Sequence, residues 1–219
     1  MPLSTIQLMH LADSALPVGG FAFSNGLEAA VKCGMVATRP ELIRYLKTAV
    51  QQWMAFEIPF LNSFYEDASV EVLNRYDRMM LSPSIRKGSI AQGRGWSRLF
   101  KELFPTLGNS AKARLASEGI PPHWLPLMVL SLKSAGATAG QVRELFIFTQ
   151  LRDQLSAAVR LGLIGPASAQ RIQSDLERSI ASDLKIAESK TAAEASRIAP
   201  LMDVAQMLQP SLYSKLFQN

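Results

Sequence analysis

The sequence predicts an all-α protein, a single-domain bundle of roughly nine to ten helices. Three observations lead to this fold class: helix-start signals recur, apolar residues repeat every three to four positions, and the sustained two-residue alternation typical of strands is missing. No linker in the 219 residues looks long enough to separate two folded domains. We therefore expect one helical domain over residues 1–199, followed by an apolar C-terminal tail over residues 200–219.

Helix N-termini are marked by a short side-chain acceptor that precedes an apolar pattern. A capping box, in which Gln or Glu follows the cap by three residues, is present at Ser4 with Gln7, Thr38 with Glu41, and Thr138 with Gln141. Pro83 and Pro166 begin two more helices, because a proline in the first turn loses no hydrogen bond. The predicted helices lie near residues 4–12, 25–33, 39–66 with a bend at Pro59, 69–81, 83–104, 110–118, 123–135, 139–162 and 166–190.

Charge is concentrated in the middle of the chain. The net charge is +5, and residues 86–118 hold seven basic and two acidic side chains. Such a segment is typical of a nucleic-acid site, of a site for an acidic protein surface, or of a solvated helix face. A helical nucleic-acid-binding module that uses residues 86–118 is therefore an alternative function, although this segment has few aromatic residues and no evident recognition-helix motif.

Residues suited to metal binding or catalysis are scarce. The chain has two histidines, His10 and His123, and one cysteine, Cys33, and none has a second ligand at the spacing of a metal site. No nucleophile motif is present. We expect no catalytic residues, no metal-binding residues and no intrinsic cofactor, and we expect Cys33 to pack as a small apolar group.

The N-terminal residues and the hydropathy predict where the protein resides. The N-terminus lacks the basic start and continuous apolar stretch of a secretory signal, and the single cysteine cannot form an intramolecular disulfide. No apolar run approaches the roughly 18 residues that suggest a membrane span. We expect a cytoplasmic protein without a membrane partner.

The most distinctive segment is residues 16–28, here named the elbow. Pro17 fixes one backbone dihedral, and Gly19 and Gly20 permit left-handed or crowded backbone. The chain can therefore turn sharply and present Phe21 and Phe23 before the next helix. A phosphate-binding loop is disfavoured, because no Gly-Lys-Ser/Thr follows these glycines.

Three segments together resemble the UreF family of urease accessory proteins. The first is the elbow, which carries Leu16-Pro17-Val18-Gly19-Gly20-Phe21, then Ser24 and Gly26-Leu27-Glu28. The second is the helix end with Arg160, which runs into Gly165-Pro166; the third is the ending Leu212-Tyr213-Ser214-Lys215-Leu216-Phe217. This sequence departs from the family in having Leu163-Ile164-Gly165-Pro166 where Pro-Leu-Gly-Gln is frequent, and Asn25 where histidine is common.

The resemblance implies a non-catalytic all-α accessory protein, commonly a homodimer, that binds UreD (also called UreH) and recruits the GTPase UreG. Nickel, handled by the wider complex, then passes to the urease apoprotein. The partner-binding residues that it implies are Pro17, Gly19, Gly20, Phe21, Ser24, Gly26, Glu28, Arg160, Gly165, Tyr213, Leu216 and Phe217.

Two questions remain open from the sequence. Glu28 and Arg160 either form paired hydrogen bonds with a partner at the surface or belong to an internal salt bridge. The tail, with nine large apolar side chains, either docks on UreD or folds back on the domain.

Overall fold

A computed structural model of the protein describes residues 3–218 and confirms the all-α fold class. Within that range the chain forms α-helices and short 3-10 turns and no strands. The α-helices are α1 (Thr5–Leu11), α2 (Leu27–Lys32), α3 (Arg39–Ala55), α4 (Glu57–Asp67), α5 (Val70–Arg78), α6 (Pro83–Leu103), α7 (Ser110–Ser117), α8 (Trp124–Ser134), α9 (Ala139–Arg160), α10 (Pro166–Ala187) and α11 (Pro200–Leu208). The 3-10 turns are Gly20–Ala22, Ala192–Glu194 and Gln209–Ser211.

All three predicted capping boxes are confirmed. At Thr38, the side-chain oxygen accepts a hydrogen bond from the Glu41 amide at 3.4 Å, and the Glu41 carboxylate accepts one from the Thr38 amide at 2.9 Å. Ser4 and Thr138 make the same reciprocal pair of bonds at the starts of α1 and α9. These bonds satisfy amides that have no partner inside the helix.

The bend predicted at Pro59 is instead a break one turn earlier. The helix predicted over 39–66 ends at Ala55 and restarts at Glu57, with Phe56 (φ −120°, ψ −64°) between the two. A proline has no amide to donate to the carbonyl four residues back, and its ring clashes with that carbonyl. For Pro59 this is the carbonyl of Ala55, which accepts from the Ser196 amide at 2.9 Å instead.

The core is centred on α3, α4, α8 and α9. Three phenylalanine rings surround Tyr76 of α5 at centroid distances of 5.1–5.9 Å: that of Phe56, just before α4, and those of Phe60 and Phe64 on one face of α4. These phenylalanines are fully buried, and each fully buried side chain of this size contributes roughly 1.5–3 kcal/mol to folding. The break before α4 thus directs a continuous aromatic stripe into the core.

A partly buried polar network joins α5, α6 and the start of α8. The Asp77 carboxylate accepts from Arg86 and lies 2.7 Å from His123 Nε2, while His123 Nδ1 lies 3.1 Å from the Ser89 hydroxyl. Burial lowers the pKa of His123 despite the carboxylate beside it. Here α6 crosses α8 closely, since a Cβ on Gly93 would lie 2.0 Å from the Pro122 carbonyl oxygen.

The tail folds back on the domain rather than extending from it. Helix α11 packs on α2 and α6, and it buries Met202 and Ala205. Asp203 in its first turn forms a salt bridge with Arg197, and the hydroxyls of Ser82 and Ser84 donate to the Gln206 carbonyl. A separate docking role for residues 200–219 stays a prediction.

Candidate functional site

The elbow packs closely against α6 and α9. Gly19 has φ +91° and leads into the 3-10 turn Gly20–Ala22. A Cβ on Gly20 would lie 2.5 Å from the Asp153 carboxylate of α9, and a Cβ on Gly95 of α6 would lie 2.9 Å from the Val18 carbonyl. Glycine is needed at position 95, because there the obstacle is backbone and the elbow approaches α6 closely. At Gly20 the obstacle is the end of the Asp153 side chain, which can move aside.

The tip of the elbow faces solvent, whereas its base is buried. Phe21 is 55% exposed and Pro17 is exposed. Ser24 and Gly26 are buried, and the Ser24 carbonyl accepts a hydrogen bond from Gln154 of α9 at 3.1 Å. Of these residues, Pro17 and Phe21 are accessible to another protein, while Ser24 and Gly26 hold the elbow in place.

Arg160, the last residue of α9, joins the elbow to the C-terminus. Its guanidinium lies 4.0 Å from the ring centre of Phe21 and 4.3 Å from that of Phe217. It also donates to the Phe21 carbonyl at 2.5 Å. A guanidinium between two aromatic faces gains cation–π stabilisation, and Arg160 remains half-buried at the surface.

Glu28, by contrast, is fully buried at the start of α2, and its carboxylate binds the tail. It accepts from the Leu216 amide at 2.6 Å, the Phe217 amide at 3.3 Å and the Gln209 side chain at 2.6 Å. Lys32, one turn later, pairs with it at 2.9 Å. Burial raises the pKa of Glu28, but these hydrogen bonds and the lysine outweigh burial, so its pKa lies below the usual value.

The alternative that places Glu28 at the protein surface is therefore wrong. Its carboxylate turns inward because the backbone amides of the returning tail and Gln209 supply the hydrogen bonds that a buried charge needs. Of the two alternatives left open, the internal ion pair describes Glu28, with Lys32 as its partner. Arg160 belongs to neither alternative as stated, since its contacts are with aromatic rings and a carbonyl.

Most C-terminal residues from Tyr213 to Gln218 are exposed, and Phe217 is buried. Phe217 is 3% exposed and packs in the core, and the Gln218 amide donates to the Ala22 carbonyl of the elbow at 2.8 Å. Tyr213 is fully exposed, and Leu216 is 51% exposed. Nearby, α11 presents an outward apolar face made of Leu201, Val204, Met207 and Leu208. We name Leu201, Val204, Met207, Leu208, Tyr213 and Leu216 the tail patch.

Gly165 lies apart from the tail. It is exposed and caps α10 at the turn after α9. The next residue, Pro166, lines an open groove of about 700 Å³ that runs between α9 and α10 to the elbow residue Phe21. Through this groove the Gly165 turn and the elbow border the same surface.

One contact of the site had no signal in the sequence. Gln209 binds Glu28 from 181 positions away, outside any motif. The Lys32 contact, by contrast, has the four-residue spacing that pairs Glu with Lys on a helix. Cys33 also departs from expectation, since it is exposed at the end of α2, where no neighbouring element covers it.

The basic segment, residues 86–118, contains two paired arginines and a stripe of unpaired basic residues. Arg86 forms a salt bridge with Asp77, and Arg114 forms one with Glu118. One face of α6 carries four exposed basic residues, Lys87, Arg94, Arg98 and Lys101. None of these four forms an ion pair with the part of the chain that the structure covers.

Neither metal sites nor membrane spans are found within residues 3–218. No three His, Cys, Asp or Glu side chains come together there in a way that could hold a metal ion. No helix in this range is long and apolar enough to cross a bilayer.

Comparison with known proteins gives one consistent family. The sequence model of the UreF family matches residues 36–177, more than half of the chain. The urease accessory protein F of Arabidopsis thaliana is 30% identical over 95% of this chain and 90% of its own length. UreF of Azoarcus sp. strain BH72 is 28% identical over 99% and 96%. The bifunctional urease accessory protein UreEF of Bordetella bronchiseptica is 25% identical over 97% of this chain and 51% of its own length.

Proposed function

The chain belongs to the UreF family of urease accessory proteins, which act in urease maturation and are not themselves enzymes, and we propose that it serves as an adaptor that binds UreD and recruits UreG. In this role it regulates the GTPase without taking part in its chemistry. Nickel is cargo of the complex rather than a cofactor of this chain. The urease apoprotein is the final partner.

The observation that carries this proposal is the joining of the three family segments into one surface. Elbow, α9 end and tail are far apart in sequence, and Arg160 contacts both Phe21 and Phe217. The segments that meet here carry exposed aromatic and apolar side chains, Phe21 in the elbow and Tyr213 and Leu216 in the tail. Exposed apolar residues grouped in this way are typical of protein–protein contacts.

We assign UreD to the tail patch. Leu201 is 72% exposed and Tyr213 fully exposed, although large apolar side chains gain stability from burial. A partner that covers the tail patch would supply that burial. The buried carboxylate of Glu28 holds the tail end in position beneath it.

We assign UreG to the elbow tip and Arg160, because these offer a charged group and an aromatic ring at one exposed place. The open groove between α9 and α10, bordered by the Gly165 turn, adjoins them. A homodimer in the cytoplasm completes the proposal.

Co-purification tests the assignment of the tail patch. Tagged wild-type chain should retain UreD, and Leu201→Asp should lose it while keeping its helical circular dichroism. Ile186→Asp is the matched control, because Ile186 is 68% exposed on α10, outside the tail patch. Equal retention of UreD by wild type and Leu201→Asp would contradict the assignment.

A further inference from the structure

Unpaired buried polar atoms are concentrated in one part of the fold. Among residues 3–218, seven buried side-chain nitrogen or oxygen atoms have no protein partner within hydrogen-bonding distance. Five of them belong to residues that line two adjoining cavities: Gln52, Glu57, Trp96, Trp124 and Gln154. Buried polar groups are nearly always hydrogen-bonded, so a cluster of exceptions points to a bound partner.

The two cavities lie side by side beneath the elbow. The larger, of about 80 Å³, is bordered by α3, α4, α6, α9 and α11. The smaller, of about 40 Å³, lies behind the elbow residues Val18 and Gly20. Gln92, Trp124 and Gln150 line both. At roughly 30 Å³ per molecule, the volume of a water in the liquid, the larger has room for about two or three waters and the smaller for about one.

The orientation of two amides is fixed by their other bonds. The Gln52 oxygen accepts from the backbone amides of Ile198 and Ala199 at 2.8 and 3.0 Å, which leaves its nitrogen unpaired. The Gln154 nitrogen donates to the Ser24 carbonyl, which leaves its oxygen unpaired. Both side chains are at least 95% buried. One cavity therefore presents an amide donor and an amide acceptor whose assignment follows from the hydrogen-bond network.

The ligand must both donate and accept hydrogen bonds. Gln52 and Trp124 offer N–H groups, and Gln154 offers an oxygen. Trp96 offers a further N–H group in the smaller cavity. An apolar guest would leave all of these atoms unpaired, at a cost that water avoids. Water also fits irregular spaces of this size.

We propose that the two cavities hold a single cluster of ordered water molecules, which hydrogen-bonds these side chains and supports the elbow from below. The cluster extends from Gln52 and Gln154 past Trp124 to Trp96 behind Gly20. The carboxyl of Glu57 borders it, and burial raises the pKa of that carboxyl to about 7, so it can donate or accept near neutral pH. The site belongs to the chain alone and does not depend on the proposed partners.

Water-selective NMR on the full-length ¹⁵N-labelled protein tests this site. The chain has three tryptophans, Trp53, Trp96 and Trp124, so only three indole N–H signals need assignment, by Trp→Phe substitution one at a time. We expect the Trp96 and Trp124 indole protons to show dipolar cross peaks to water, with the rotating-frame sign that distinguishes held water from proton exchange. If one variant fails to fold, the wild-type spectrum with the other two variants still assigns all three signals.

Two results would overturn the proposal. Indole protons with no water cross peak, together with xenon-induced shifts of the neighbouring Leu125 or Met128 methyl groups, would show dry cavities. Cross peaks that arise from proton exchange alone would show transient opening to bulk solvent instead of held water. Dipolar cross peaks with methyl signals unchanged by xenon would support it.

Discussion

The guanidinium of Arg160 lies 4.0 Å from the ring centre of Phe21, a residue 139 positions earlier in the chain, and donates a hydrogen bond to its carbonyl. This contact ties the end of α9 to the elbow tip. The ring of Phe217 also packs on this guanidinium, so the Arg160 side chain anchors the C-terminal residues as well. An arginine in this place orders the surface to which UreG is assigned.

Replacing this arginine should therefore weaken both the surface and, to a smaller extent, the fold. We expect Arg160→Ala to lower the free energy of unfolding by about 1–2 kcal/mol, through the lost cation–π contacts and hydrogen bond. UreG recruitment should fall by much more than this loss of stability explains. Arg171→Ala on α10 is the control, because Arg171 is exposed. Equal UreG recruitment by the two variants would contradict the assignment.

Glu28→Ala should be a stability variant. Its carboxylate accepts from two backbone amides and from Gln209, and these donors would be left without it in a buried place. We expect a loss of about 3 kcal/mol in chemical denaturation, as for the breaking of a buried charged network. Glu144→Ala, at an exposed position of α9, should unfold like wild type. A wild-type unfolding curve for Glu28→Ala would mean that the carboxylate does not hold the tail.

Much of the fold could be predicted from local signals, and the site only in part. Capping boxes and first-turn prolines act within one helical turn, so the starts of α1, α3, α6, α9 and α10 were predictable. The burial of Glu28 was not, because it depends on a tail that returns from 188 positions away. The break lies at Phe56, about one turn before the bend predicted at Pro59. The reason is that a proline disrupts the hydrogen bond to the carbonyl four residues before it.

Gly93→Ala tests the close crossing of α6 and α8. The added Cβ would lie 2.0 Å from the Pro122 carbonyl oxygen, a backbone atom that cannot move aside without shifting α8. We expect a loss of about 2–3 kcal/mol in unfolding free energy, as for overpacking. Gly140→Ala is the matched control in α9, since its nearest neighbour would be 3.8 Å away. It should be neutral or stabilise by up to about 1 kcal/mol.

Glu57 should give the protein a pH-dependent stability. Burial raises its pKa to about 7 from 4.5, although Arg197 opposes this shift. The folded state thus holds the proton more tightly than the unfolded state, so the contribution to stability is complete below pH 4.5 and declines as pH rises to about 7. We expect the unfolding free energy of wild type, relative to Glu57→Gln, to fall by about 1–3 kcal/mol across this range. A difference independent of pH would show that Glu57 titrates normally.

The most direct test of the adaptor role is nickel-dependent activation of urease apoprotein in a reconstituted system with UreD, UreG, GTP and nickel. We expect activation with the wild-type chain, little without it, and a loss in Leu201→Asp that Ile186→Asp does not share, because only Leu201 belongs to the tail patch. Activation that is equally efficient with and without the chain, or unchanged in Leu201→Asp, would contradict an adaptor that works through this surface.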